Sequence, residues 1–203
     1  MWKYFGGGAL IVIVLLSGYY LFHSKGVVSR TPQPSEPQQV ATSTYATTTF
    51  SVVYPSTFSV NDAYAYDQFG PKKLIRGVKF LIPGEMATGT NLSGFDTGVS
   101  VEQLPRARKC TADIYLMANV KAKTLNNNGV EYSVASSSGG AAGNLYEEYI
   151  YALSGTHPCT AVRYFVHSTN ISNYEPNTVH EFSRSALLAT FDEIRSSLVS
   201  RPQ

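Results

Sequence analysis

The chain has 203 residues, which is enough for one domain with accessory segments. It is 43% hydrophobic and 15% charged with a formal net charge of +2, so it lacks the clustered basic field of a protein that coats nucleic acid. Two cysteines exclude a disulfide-dense miniprotein and a four-cysteine zinc module. An aromatic content of 12% argues against disorder along the whole chain.

The amino-terminal segment, residues 1–23, has the composition of a transmembrane helix. Residues 4–22 are 19 positions without a charge. A helix of that length spans roughly 28 Å, which matches the hydrocarbon thickness of a bilayer. Trp2 lies near one end of the span, and Tyr19 and Tyr20 lie at the other, where aromatic rings favour the membrane interface. A helix from a soluble core is a poor alternative, because the span has no polar face.

The span is either an uncleaved anchor or a cleaved signal peptide, and the sequence favours the anchor. Only Lys3 and the α-amino group precede it, and no small-x-small cleavage pattern follows it closely. Lys25 and Arg30 follow the span, so the positive-inside rule gives a nearly balanced result. We expect the amino terminus in the cytoplasm and the rest of the chain outside, because the linker and the cysteines suit that side.

Residues 24–48 have the composition of a linker. Pro32, Pro34 and Pro37 alternate with Ser, Thr and Gln, so this stretch lacks the apolar area that would offset its ordering entropy. The linker is expected to hold a folded domain, residues 49–203, away from the bilayer. Its Thr-rich end, residues 42–49, is able to start a strand.

Within that domain the hydrophobic pattern predicts strands and two helices. The predicted strands cover residues 50–54, 57–60, 74–82, 98–102, 130–135, 145–153 and 159–167, and the predicted loops include 84–96 and 136–143. One helix is predicted over 111–123, with Thr111 as its cap, and a second over 183–199. The apolar stripe of the second helix consists of Leu187, Phe191, Ile194 and Leu198. This order predicts an α+β fold, in which helices pack on a mainly antiparallel sheet.

Two motifs of the domain resemble those of PsbP-like domains, the fold of the photosystem II extrinsic protein P. Residues 50–58 follow the pattern F-x-x-x-Y-P-x-x-F, and residues 191–198 follow the pattern F-x-x-I-x-x-S-L of a closing helix. Phe58 stands where a tryptophan is commoner in that family. The resemblance implies a PsbP-like α+β fold, a position outside the cytoplasm, and a non-catalytic accessory or binding role.

The sequence lacks the motifs of common enzyme and metal sites. It has no G-x-S-x-G elbow of a serine hydrolase, and its four histidines lack metal-ligand spacing. Cys159 and His167 lie eight residues apart on a predicted strand, roughly 26 Å, which is too far for proton transfer. The glycine-rich residues 138–144 join two predicted strands, whereas a phosphate-binding loop leads into a helix. We therefore expect no catalytic residue, no metal and no cofactor.

The two cysteines, Cys110 and Cys159, are expected to form a disulfide if the domain lies outside the cytoplasm, where thiols oxidise. Cys110 precedes the first predicted helix of the domain, and Cys159 opens a predicted strand, so both can lie at one sheet edge. Two buried free thiols are the alternative for a cytoplasmic domain.

One set of chemistry-bearing residues comes together if strands 145–153 and 159–167 pair as a hairpin centred on Thr156. In that register, one face collects an acid, a base, a titratable ring and two aromatic residues. These candidate ligand-binding residues are Glu147, Tyr149, Arg163, Phe165 and His167. Aromatic walls with a few polar groups are typical of small-ligand sites. The alternative is a half-exposed sheet face with ordinary cross-strand pairs.

These features favour a membrane-anchored binding or accessory module of the cell envelope. Its expected partners are the membrane, through the amino-terminal helix, and a small ligand or an envelope protein, with no nucleic acid. An envelope hydrolase with an unidentified site is the second hypothesis, and a structural envelope protein with an aromatic contact surface is the third. A deep pocket at Glu147, Arg163 and His167 would favour a ligand or a substrate, whereas a flat exposed tyrosine patch would favour a protein partner.

Overall fold

The computed structural model describes residues 40–201, in which antiparallel strands dominate. The eleven strands of this part of the chain are β1 (Thr42–Ala46), β2 (Phe50–Pro55), β3 (Ser59–Asn61), β4 (Ala65–Tyr66), β5 (Ile75–Leu81), β6 (Gly98–Leu104), β7 (Lys123–Asn127), β8 (Val130–Ala141), β9 (Asn144–Leu153), β10 (Cys159–Thr169) and β11 (Val199–Ser200). The same part contains two α-helical segments, α1 (Gly84–Ala87) and α2 (Arg184–Ser196), and two 3-10 turns, Ala112–Tyr115 and Ile171–Asn173.

The strands form two sheets, and every strand pairing is antiparallel. The larger sheet has the order β3-β5-β6-β10-β9-β8-β7, with β4 also paired to β5, and the smaller sheet has the order β1-β2-β11. β10 lies near the middle of the larger sheet and is mostly buried, as expected of a strand covered on both faces. β1 begins at Thr42, so the last residues of the predicted linker pair with β2.

The larger sheet has a helix face and a loop face, each named after the element that covers it. On the helix face, Val162 and Tyr164 of β10 join an apolar core with β6, the smaller sheet and α2. The four residues of the predicted apolar stripe, three of them within α2, pack into this core, so that part of the prediction is confirmed. The core therefore fixes α2 across the sheet from the loop face.

On the loop face, the alternate residues of β10 point away from α2, because successive strand side chains point to opposite faces. The covering segment, residues 105–122, crosses this face and buries a second apolar core with Tyr115 and Leu116. The other buried members of this core are Tyr66, Ile75, Ala112, Ile150, Ala152, Cys159 and Ala161. Strands β4, β5, β9 and β10 thus share one apolar layer beneath the covering segment.

The disulfide between Cys110 and Cys159 is present, which confirms the predicted pairing. It joins the covering segment to the first residue of β10 across a sequence separation of 49 residues. Beside it, the Tyr115 hydroxyl donates to the carbonyl oxygen of Cys159 at 2.7 Å. The covering segment is therefore held to the loop face by a covalent bond and by a buried hydrogen bond.

The predicted α+β fold, in which two helices pack on a mainly antiparallel sheet, is wrong for the described residues. Strands dominate, and α2 is the one α-helix within residues 40–201 that is longer than four residues. No helix in this part of the chain is both long and apolar enough to cross a membrane. The predicted transmembrane anchor, residues 1–23, and the linker up to residue 39 lie outside the described residues.

The helix predicted over 111–123 is also wrong, since this segment makes a short 3-10 turn and then has no regular structure before β7. The carbonyl oxygen of Tyr115 accepts a hydrogen bond from Arg163 Nη2 at 2.8 Å. That bond occupies an acceptor that a continuing helix needs for its own backbone. Thr111 makes no side-chain cap bond. Tertiary contacts therefore override the local helix signal.

The loop predicted over 136–143 is largely strand, since β8 continues to Ala141 and pairs with β9 along this stretch. Ala142 and Gly143 form the two-residue hairpin turn, with positive φ values of 50° and 81°. The small residues of β8 have weak strand propensity, but pairing with the aromatic-rich β9 holds them in a strand. β7 pairs with β8 only as far as Val134, so the second half of β8 extends past β7.

Removing the disulfide should lower the free energy of unfolding by about 4 kcal/mol, because the bond closes a loop of 49 residues. The variant Cys110→Ala/Cys159→Ala is compared with the wild type by urea unfolding of the full chain. Reduced wild-type protein is the matched control, since it loses the same bond and keeps both side chains. A loss below about 1 kcal/mol in both samples would contradict a structural role for the bond.

Candidate functional site

A cleft of about 690 Å³ opens on the loop face, and we call it the loop-face cleft. Four aromatic rings and four charged side chains share its wall. The lining residues are Tyr64, Ala65, Tyr66, Asp67, Gln68, Lys79, Asp96, Met117, Ala118, Ser137, Ser138, Gly139, Tyr146, Glu148 and Phe165. A groove of about 790 Å³ along residues 104–114 is larger, but one surface loop forms it and its charged residues are exposed.

Arg163, in the middle of β10, holds an enclosed guanidinium beneath the cleft, and the residue is 1% exposed. Its Nε and Nη2 donate to the two carboxylate oxygens of Glu102 at 2.7 and 2.9 Å, and its Nη1 donates to Glu148. Nη2 also donates to the carbonyl oxygen of Tyr115. Burial alone would lower the pKa of Arg163, but the two carboxylates raise it above its ordinary value. The guanidinium therefore stays charged, bidentate and fixed in orientation.

Tyr66 and Glu148 connect this buried pair to the cleft. The Tyr66 ring covers the guanidinium, with Arg163 Cζ 3.6 Å from the ring centre. The Tyr66 hydroxyl donates to the carboxylate of Glu148 at 3.1 and 3.2 Å. Burial raises the pKa of Tyr66, with Arg163 opposing this effect and Glu148 adding to it. The hydroxyl therefore remains a donor at neutral pH, and Glu148 has two partners within the fold.

Lys79 of β5 is a second buried cation on the loop face, and it lies in the cleft wall. Lys79 pairs with Ser100 of β6, and Ser100 pairs with Arg163 of β10, so these three residues lie side by side across the sheet. Its ammonium group lies 4.8 Å from the Phe165 ring centre and 5.4 Å from the Tyr64 ring centre. Burial lowers the pKa of Lys79, and nearby carboxylates offset this effect only in part. None of the ion pairs within residues 40–201 includes Lys79.

His167 lies beside the cleft with both of its ring nitrogens close to oxygen atoms. Nδ1 lies 2.7 and 2.9 Å from the carboxylate oxygens of Asp96, and Nε2 lies 2.9 Å from Oδ1 of Asn144. The Tyr146 ring stacks on the imidazole with 4.5 Å between ring centres, and the Ser93 hydroxyl donates to Asp96 at 2.8 Å. Within the described residues, neither ring nitrogen faces a hydroxyl or a thiol. This geometry orients the imidazole without activating a nucleophile.

Three of the five predicted site residues share the loop face. Phe165 lines the cleft, Arg163 lies beneath it, and His167 lies beside it. The alternation within β10 therefore predicts the correct face for all three. Their assignment to a ligand site stays a prediction.

The other two predicted residues, Glu147 and Tyr149, lie on the helix face, where they meet Arg184 of α2. The Tyr149 hydroxyl donates to Glu147 at 2.6 Å, and Nη2 of Arg184 donates to the same carboxylate at 2.5 Å. Burial alone would raise the pKa of Glu147, but these hydrogen bonds and the Arg184 charge lower it. Burial and the bond to Glu147 raise the pKa of Tyr149 to about 12. This cluster ties α2 to β9 on the side opposite the cleft.

The predicted register of the β9–β10 hairpin is wrong by one residue. Arg163 pairs with Ile150 rather than with Tyr149, and a shift of one residue moves every β9 side chain to the other face. Within the turn, the Thr156 hydroxyl donates to the Leu153 carbonyl oxygen and accepts from the Thr160 N–H, both at 3.0 Å, so it links the two strand ends in this register. In the observed register Ile150 fills the apolar core beneath the covering segment.

The residues that surround the buried guanidinium were not predicted. Lys79 interrupts the apolar β5, and Glu102 ends the apolar run of β6, so a charge inside a buried strand is the signal that identifies both. Glu147 and Glu148 are adjacent, so a register that is wrong by one residue assigns Glu147 to the loop face in place of Glu148. The role of Tyr66 depends on the path of the chain between β3 and β5, which no local pattern indicates.

Comparison with known proteins leaves the family open. No protein-family model matches the chain, and no curated protein matches it. A solved structure from Bacteroides thetaiotaomicron is similar, with 13% sequence identity and a TM-score of 0.40. The similarity covers 76% of this chain and 46% of that chain, and at this TM-score it supports no statement about fold or function. Within residues 40–201, no group of three or more His, Cys, Asp or Glu side chains is placed to hold a metal ion.

Arg163→Met should lower the free energy of unfolding by about 3–5 kcal/mol, because it leaves Glu102 and Glu148 without their buried partner. Arg184→Met is the matched control, since Arg184 also pairs with a carboxylate but its side chain is 52% exposed. The control should lose less than about 1 kcal/mol. Both variants are measured by urea unfolding of the full chain. Equal losses would contradict the role assigned to the buried pair.

Proposed function

We propose that the chain is a membrane-anchored, extracytoplasmic binding module whose loop-face cleft takes a small ligand. The cleft is the observation that carries the proposal, since its volume of about 690 Å³ lies in the range of small-molecule sites. Aromatic rings form much of its wall, and a few fixed polar groups converge on it, as in many such sites. A ligand with a flat ring suits this wall, because a ring stacks on tyrosine and phenylalanine.

The rigidity of the wall supports binding. Tyr66 is held between the guanidinium of Arg163 and the carboxylate of Glu148, and Tyr146 stacks on His167. These side chains already occupy defined positions, so a ligand does not have to order them. Preorganisation of this kind improves affinity by reducing the entropy that is lost on association.

The same contacts favour a binding role over the alternative of an envelope hydrolase. A hydrolase needs a nucleophile within hydrogen-bond reach of a base. Here the imidazole of His167 contacts Asp96 and Asn144, and the carboxylate of Glu148 accepts from Arg163 and Tyr66. A concave wall also suits a small ligand better than the flat contact expected of a structural envelope protein.

The disulfide and the amino-terminal sequence support the proposed location. Disulfides persist mainly in oxidising compartments, so the Cys110–Cys159 bond is consistent with a domain outside the cytoplasm. The uncharged residues 4–22 and the Pro-rich linker that follows them suit an anchor and a tether. A module held in this way would retain its ligand at the membrane surface or present it to an envelope protein.

Filling the cleft should abolish ligand binding without unfolding the domain. Gly139 lies in the cleft wall, and a Cβ at this position would meet no atom within 4 Å, so Gly139→Phe places a ring in open space. Gly84→Phe is the matched control, because Gly84 is equally open but lies outside the cleft. Saturation-transfer NMR screens small cyclic and aromatic compounds against the full chain in lipid nanodiscs.

Compounds that bind the wild type should lose affinity about tenfold or more in Gly139→Phe and keep it in Gly84→Phe. Thermal unfolding of both variants checks that each is folded. Binding that survives Gly139→Phe would place the ligand outside the cleft, and a screen without any binder would count against the proposal.

Orientation is tested by adding protease to intact cells or spheroplasts. The domain should be released as a fragment that begins between residues 24 and 48, because the linker is the segment with the least apolar area to bury. A cytoplasmic marker protein that remains intact is the control for cell integrity. Complete protection of the domain would contradict the outward orientation.

A further inference from the structure

Lys79 is a buried lysine in the wall of the loop-face cleft, and its ammonium group packs against aromatic rings while the nearest carboxylates lie beyond ion-pair distance. The residue is 8% exposed, and its Nζ lies near the rings of Tyr64 and Phe165. No ion pair within residues 40–201 involves this group. Aromatic faces attract a cation but leave its hydrogen-bond donors available.

The half-buried carboxylates of the cleft wall, Glu148 and Asp96, already have partners. Glu148 accepts hydrogen bonds from Arg163 and Tyr66. Asp96 contacts His167 and accepts a further bond from a serine hydroxyl. Among the described residues, Lys79 is therefore the buried charge that remains available to a molecule entering the cleft.

Burial makes the positive charge of Lys79 costly, and the nearby carboxylates offset that cost only in part. Burial lowers the pKa of Lys79, which shows that the fold disfavours the ammonium form. A methionine would fill similar space without the desolvation penalty of an unpaired charge. A perturbed titratable group in a concave site is typical of functional positions.

We propose that Lys79 pairs with the carboxylate of a small monoanionic ligand whose ring lies against the aromatic wall of the cleft. This inference rests on the proposed function of the cleft and adds the chemical class of the ligand. Entry of the carboxylate gives the ammonium its missing partner in a site of low effective dielectric, where the attraction is stronger than in water.

A carboxylate suits the site better than a phosphate does. A phosphate monoester carries about −1.5 to −2 charges at pH 7, and its sites usually supply arginine or several backbone N–H donors. The nearest arginine, Arg163, is enclosed by Glu102 and Glu148. Asp67, Asp96 and Glu148 also line the cleft, and their repulsion of a ligand grows with its negative charge, so it is weaker for a monoanion than for a dianion. One ammonium therefore matches one negative charge.

Three probes test the assignment: benzoate, its neutral isostere benzamide, and phenyl phosphate. Their affinities are measured by calorimetry with the full chain in lipid nanodiscs, for the wild type, Lys79→Met and Lys72→Met. Lys72 is an exposed lysine outside the cleft, so its variant is the matched control. Wild type and Lys72→Met should bind benzoate about tenfold or more tightly than the other two probes. Lys79→Met should lose this preference and keep its affinity for benzamide.

The outcomes separate this inference from the proposed function. If the wild type binds benzoate and benzamide equally and Gly139→Phe removes both, the cleft is a binding site and the Lys79 assignment is wrong. A preference for phenyl phosphate overturns the carboxylate assignment. If none of the probes binds at about 10 mM, both proposals fail. The urea midpoint of Lys79→Met should equal or exceed that of the wild type. A loss of benzoate binding in this variant then reflects the missing ammonium group and not unfolding.

Discussion

The buried guanidinium of Arg163 is the interaction on which the loop face depends. It joins parts of the chain that are distant in sequence: Glu102 on β6, Glu148 on β9 and the backbone carbonyl of Tyr115 in the covering segment. A charge in an apolar interior is costly unless it is both paired and hydrogen-bonded, and these contacts meet both conditions. Loss of Arg163 would leave both carboxylates without this partner, so the guanidinium fixes the positions of the other three groups.

This arrangement also determines which charge the cleft presents. The two carboxylates more than compensate Arg163, so it positions its neighbours and offers no free positive charge to the cleft. Lys79 lies in the same ladder row but is surrounded by the rings of Tyr64 and Phe165. The two cations therefore have different roles, since one organises the sheet face and the other is available to a ligand. A ligand carboxylate at Lys79 would not need to break any contact of Arg163.

The sequence pattern of a single strand predicts which of its side chains share a face of the sheet. The period-two alternation of β10 gives the correct face for Arg163, Phe165 and His167, because strand geometry alone fixes it. The face of β9 depends on its register with β10, and that register depends on how the turn around Thr156 joins the two strands. The helix expected in the covering segment is replaced because the Tyr115 carbonyl binds a guanidinium 48 residues later in the chain. A contact between distant residues thus accounts for the helix error, whereas the conformation of a local turn accounts for the register error.

The two sides of the cleft differ in rigidity, and this difference indicates where selectivity resides. The sheet side carries fixed rings and charges, whereas Met117 at the rim of the covering segment is 64% exposed. Opposite this rim, Gly139 and its serine neighbours leave space beside β8. An unbranched methionine adapts to different shapes, and small residues exclude few of them. We therefore expect binding to require the charged group and the ring at the buried end of the ligand. We expect substituents of different shapes at its outer end to change the affinity little.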